Sequence, residues 1–142
     1  MERKRVTVAE AIRFHGHLGP YLILGILAGE SALKKIKCKK FFGLEVKVWG
    51  AQQKPQSCLI DGLQLSTGAT YGKGNIKKGA GSKIKIEVSL RQEQKGIIIN
   101  FKDSLMARLA AAKTHQACEL LAKKLNRSDY SKLFRLHLTT EN

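Results

Sequence analysis

Apolar and polar residues change their spacing several times along the chain, and each change predicts an element. Thr7-Val8-Ala9-Glu10 has the T-x-x-E form of a capping box, in which a hydroxyl and a carboxylate satisfy the unpaired N–H groups of a helix start. A short helix is expected from Val8, carrying Ile12 and Phe14 and stopping at Gly16. Pro20 suits the first turn of a second helix, because the N–H it lacks has no partner there anyway. That helix, roughly Pro20 to Lys35, is apolar nearly all round at Leu22, Ile23, Leu24, Ile26 and Leu27. Such a segment belongs at the centre of a domain or in a subunit interface. Gly25 and Gly29 leave one of its faces bare for the close approach of a neighbouring backbone or a ligand.

Leu44 to Trp49 alternates with period two and predicts a strand. Ser57 to Leu65 has Leu59, Ile60 and Leu63 at helical spacing with Ser57 as a candidate N-cap, and a glycine-rich loop follows from Ser66 to Asn75. Lys83 to Leu90 alternates cleanly and Gly96 to Phe101 is rich in β-branched residues, so the two predict an antiparallel pair joined across "RQEQK". Asp103 or Ser104 opens one long helix that reaches Leu125, with Asn126 at its C-cap, and Leu133 to Leu138 predicts a closing strand. This order predicts an α+β fold: one domain over residues 1–142, with a mixed or antiparallel sheet packed with helices.

Composition narrows the class. Hydrophobic residues are 43% of the 142 and charged residues 26%, a globular balance that excludes disorder. The longest apolar run, Leu18 to Ala28, is interrupted by Gly19, Pro20 and Gly25 and falls short of the roughly 20 residues that a membrane span needs. The basic start "MERKR" leads into a mixed segment where a secretory leader has an apolar one, so a cytoplasmic protein with no membrane association is expected. Cys38, Cys58 and Cys118 are odd in number and widely spaced, which fits neither a disulfide framework nor a CxxC zinc knuckle. The net charge of +15 would attract a polyanion or an acidic partner. With aromatics at 6% and no RNA-binding aromatic signature, nucleic acid is the weaker expectation.

Candidate chemistry gathers in two places. The glycine loop is no P-loop: Gly68 to Gly72 encloses three residues where that motif needs four, and Lys73 is followed by Gly74 where it needs Ser or Thr. Its hydroxyls, N–H groups and lysine remain competent to cradle a small anionic ligand. His15 and His17, one residue apart in "FHGHLGPYLILG", stand upstream of Cys58 and Asp61 in "CLID"; imidazole, thiolate and carboxylate are all ligands for a transition metal. His115 and Cys118, three apart among alanines, read as packed core.

Together "FHGHLGPYLILG" and "CLIDGLQLSTGATYGKGN" resemble the two signature elements of the FmdE family, named for the FmdE component of formylmethanofuran dehydrogenase. Those elements are an "FHGH-x-C-P-G" segment and a later "C-x-x-D-A-I-Q-x-x-T-G-C-T-x-G-K-G-N" segment. The resemblance implies an α+β core, a homodimer, and one transition metal ion per site, zinc, nickel or iron, in an accessory or metal-handling protein. Carried across by position, His17 and Cys58 are the implied ligands and His15 a ligand or its supporting partner. Asp61, Gln64, Thr67, Lys73 and Asn75 are implied to line the ligand-binding pocket. Four positions depart from the pattern. Gly19 and Ala69 replace cysteines, which removes two soft ligands, while Tyr21 replaces a glycine and Gly62 an alanine. The cysteine-rich zinc-binding tail of many relatives has no counterpart after Arg91, where Cys118 stands alone. The alternative expectation is a metal-free protein that binds an anionic ligand, nucleic acid or an acidic partner through its basic surface.

Overall fold

The Thr7 hydroxyl accepts the N–H of Glu10 at 3.1 Å and the Glu10 carboxylate accepts the N–H of Thr7 at 3.2 Å, closing the capping box that starts α1 (Val8–His15). The computed structural model describes residues 5–140; residues 1–4 of the basic start and residues 141–142 lie outside the described residues. Gly16 ends α1 in the left-handed conformation, φ 110°, and its N–H bonds back to the carbonyl of Ile12 at 2.7 Å. Pro20 then opens α2 (Pro20–Ile36), as expected of its missing N–H.

The remaining elements are β1 (Leu44–Trp49), α3 (Cys58–Thr67), β2 (Ile76–Gly79), β3 (Lys85–Leu90), β4 (Lys95–Phe101), α4 (Asp103–Ala111), α5 (His115–Asn126), a 3-10 turn (Tyr130–Lys132) and β5 (Phe134–Thr140). The strands form one mixed sheet in the order β2-β1-β3-β4-β5. The β1–β2 pair is parallel, with α3 as its crossover, and the other pairs are antiparallel. Val46 faces Val88, and Val48 faces Ile86, which in turn faces Ile99. All five are buried, so the register stacks them on the core side. The fold is α+β, as predicted.

The apolar α2 is the hub. It packs on α3, α5 and β4, and Leu22, Ile23 and Leu24 are fully buried within this one chain. Its all-round apolarity therefore needs no second subunit to cover it. The bare face does receive a backbone. A methyl group at Gly25 would collide with the carbonyl oxygen of Leu59, one at Gly62 with that of Leu22, and one at Gly29 with the Ser66 hydroxyl. Ser66 also donates to the Gly25 carbonyl at 3.1 Å, so a hydrogen bond ties the two helices at their closest approach. This contact sets the height of α3, and with it Cys58 and Asp61, against the α1–α2 junction.

Several expectations about caps and helix bounds need correction, and one strand is added. The predicted helix from 103 to 125 is two helices, because Thr114 is extended (φ -108°, ψ 158°) and its hydroxyl caps α5 by accepting the Ala117 N–H at 3.0 Å. Ser57 makes no cap hydrogen bond and is already helical (φ -64°, ψ -18°); its N–H and that of Cys58 bond to Gln53 and Pro55, which winds the chain into α3 beforehand. Neither Asp103 nor Asn126 caps its helix: Lys102 precedes α4, and Arg127 ends α5 with Asn126 still inside it. Finally, β2 went unforeseen, since two of its four residues are lysines and only its pairing with β1 makes it a strand.

Candidate metal centre

His15 is the last residue of α1 and His17 lies just past the Gly16 turn. No atom would obstruct a Cβ at Gly16, so it is the positive φ that calls for glycine here. The reversal brings the two imidazoles to 4.7 Å between ring centroids. Cys58, the first residue of α3, is delivered to the same point by the α2–α3 contact. The ligand atoms of His15, His17 and Cys58 all lie within 4.8 Å of one another.

Behind His15 runs a chain of hydrogen bonds. Its Nδ1 is 2.6 Å from Asp61 Oδ2, the Gln64 amide donates to Asp61 Oδ1 at 3.3 Å, and the Tyr71 N–H donates to Gln64 Oε1 at 3.0 Å. In the neutral tautomer that donates from Nδ1 to this carboxylate, the lone pair of His15 sits on Nε2. That Nε2 is buried and, among the described residues, has no hydrogen-bond partner. A buried nitrogen lone pair without a donor is costly in a folded protein. Its presence beside a second imidazole and a thiol fits a cation.

The electrostatics agree. Burial, then the positive charges that His15, His115 and Lys54 can carry, lower the pKa of His17, so its lone pair is free at neutral pH. Burial, then the Asp61 carboxylate, raise the Cys58 thiol above its ordinary value, opposed by Lys54. With no cation bound, Cys58 holds its proton; a divalent ion would displace it.

The other sequence-predicted residues lie apart from this cluster. The Thr67 hydroxyl donates to the Leu63 carbonyl at 2.6 Å and accepts the Ala69 N–H at 3.1 Å, closing the end of α3. Asn75 accepts the Thr70 N–H at 2.9 Å and donates to the carbonyls of Phe41 and Leu44 at 3.1 and 3.3 Å. The Lys73 ammonium bonds to the Gly68 carbonyl and lies 5.4 Å from the centre of the Phe42 ring. Thr67 thus closes α3, while Asn75 and Lys73 hold the glycine loop onto the segment before β1. Asp61 and Gln64, by contrast, are joined to His15.

A cavity of about 410 Å³ opens beside the cluster, lined on its polar side by His17, Cys58, Tyr21, Gln56, His115 and Cys118. The last two were expected in the core. They are not, because the break before Thr114 turns the first turn of α5 toward this cavity, leaving His115 exposed and Cys118 half-buried. Gly19 also lines it, and a Cβ there would sit 3.4 Å from His17 Nε2, so the position of this missing cysteine is beside the cluster. Ala69, the other missing cysteine, is fully buried in the core and does not line the cavity.

An α+β core holding a His/His/Cys cluster at the mouth of its central helix is the class of structure found here. The model of the FmdE family, described as "FmdE, Molybdenum formylmethanofuran dehydrogenase operon", matches residues 14–137, and the chain belongs to that family. The fold is similar to the crystal structure of an FmdE-like protein of tungsten formylmethanofuran dehydrogenase type from Syntrophus aciditrophicus. The TM-score is 0.69 at 18% identity, covering 94% of this chain and 71% of that one. No curated protein matches the chain. Among the described residues, no helix is long and apolar enough to cross a membrane.

Proposed function

We propose that this protein is an FmdE-like accessory protein that binds one transition metal ion per chain through His15, His17 and Cys58. The observation that carries the reading is the buried Nε2 of His15, without a hydrogen-bond partner among the described residues and grouped with two further ligand atoms, those of His17 and Cys58. Two imidazoles and one thiolate suit zinc, nickel or iron, and three protein ligands leave a position open, as catalytic and cargo-handling sites do. When bound, the ion supplies a Lewis-acidic centre for a small molecule in the adjoining cavity. His15 contributes a lone pair fixed by its carboxylate, His17 a lone pair kept free by its lowered pKa, and Cys58 a thiolate once its proton leaves.

A homodimer and a cytoplasmic setting belong to the same proposal. A reducing compartment keeps Cys58 a thiol. The glycine loop supports an anion cradle less well, since Lys73, Thr67 and Asn75 are committed to backbone groups. The test is the metal content of untagged protein beside a His17→Ala, Cys58→Ser double variant. The proposal expects near-stoichiometric metal in the parent and little in the variant; equal, trace amounts in both after reconstitution would overturn it.

A further inference from the structure

The cavity beside the cluster has a chemistry of its own. Apart from its polar side it is walled by Leu18, Pro20, Pro55, Met106 and Leu109, with Ala110 on its rim. In a chain of net charge +15, no lysine or arginine among the described residues lines it, and no carboxylate does. Such a cavity repels polyanions as ligands, because their surplus charge would have no partner inside.

From this lining, and resting on the metal-centre reading above, we infer that the cavity binds a small monoanion with a compact apolar body, of the short-chain monocarboxylate type. The charge balance selects the sign. A divalent ion facing the Cys58 thiolate keeps one positive charge, and the imidazole ligands add none. Asp61 behind His15 and Lys54, exposed beside the cavity, offset each other. One negative charge on the ligand neutralises the assembly; a dianion overshoots and a cation is repelled. The size follows from about 410 Å³, the low end of small-molecule pockets. The walls select an alkyl body, while Tyr21, Gln56 and His115 offer hydrogen-bonding groups beside it. The α4–α5 elbow is then part of the site: it supplies Met106, Leu109 and Ala110 from one side and His115 from the other.

The experiment uses the full chain loaded with cobalt(II) and titrated with acetate, butyrate and hexanoate, then with succinate and hexylammonium, reading the cobalt visible spectrum. Affinity is expected to rise about two- to fourfold per added methylene up to hexanoate. Succinate and hexylammonium are expected to bind about tenfold or more weakly than hexanoate. Ala110→Trp, at an exposed α4 position on the rim, is expected to weaken hexanoate about tenfold while cobalt uptake and the ligand-free spectrum stay unchanged. Should that variant fail to fold, the chain-length series on the parent decides. Cobalt uptake with affinities flat from acetate to hexanoate, or succinate as tight as hexanoate, overturns the ligand class and leaves the metal centre standing. Absence of cobalt uptake overturns both.

Discussion

Asp61 Oδ2 stands 2.6 Å from Nδ1 of His15, and that contact decides which nitrogen of His15 faces the cluster. Asp61→Asn keeps the shape but loses the charge, and its amide can offer an N–H in place of the acceptor. Metal affinity is expected to fall about 10- to 100-fold, the usual cost of losing a carboxylate behind a ligating histidine. Chelator competition on parent and variant measures it, and an unchanged affinity would remove Asp61 from the account. The fold is expected to persist, since this carboxylate is one-third exposed.

Metal binding should depend on pH through Cys58. Burial and the Asp61 charge hold its proton above the ordinary thiol range, so the ion must displace one proton throughout the neutral range. Affinity is then expected to rise about tenfold per pH unit from pH ~7 to ~8, with about one proton released per ion. His17, lowered from 6.5, adds a second competing proton only in acid. In Cys58→Ser the slope across the neutral range should disappear. A pH-independent affinity in the parent contradicts the thiolate ligand.

Gly19→Cys restores a thiol that the family pattern carries. The backbone there is extended (φ -143°), which any residue adopts, and a Cβ meets only the far end of the His17 ring. A fourth ligand closes the coordination shell, so affinity should rise about tenfold or more. The same change should abolish binding of added ligands at the ion. An affinity no higher than the parent's would place residue 19 outside the centre.

The α2–α3 contact has no room for a side chain. Gly62→Ala drives a methyl group into the Leu22 carbonyl and is expected to cost about 1–3 kcal/mol, the range for overpacked sites. Thermal unfolding measures it. Metal retention should weaken in parallel, because the same displacement moves Cys58. Lys73→Gln, in contrast, should leave metal affinity within about twofold, since its ammonium serves the Gly68 carbonyl.

The sequence made the frame legible where one local rule acted alone. Thr7 and Glu10 announced α1, Pro20 announced α2, and Gly25 announced a close approach that proved to be α3. The "HGH" and "CLID" segments met as their residue types suggested. What escaped notice depends on distant partners. Leu105 to Leu125 has the alanine content of an unbroken helix, yet the cap at Thr114 interrupts it, and that break alone brings His115 and Cys118 to the cavity. The motif also blurs ligand binding with loop construction: Thr67, Lys73 and Asn75 sit in the same signature as Cys58, and only their hydrogen bonds show that they serve the backbone. No spacing rule separates those tasks, because both ask for hydrogen-bonding side chains near glycine.

The most direct measurement is a cobalt(II) titration of the parent and of Cys58→Ser, followed in the absorption band that a thiolate-to-cobalt bond produces. A band saturating at one ion per chain in the parent and absent from the variant is the result expected of a His15–His17–Cys58 centre. Saturable cobalt binding without that band, or a band that survives in Cys58→Ser, would contradict it.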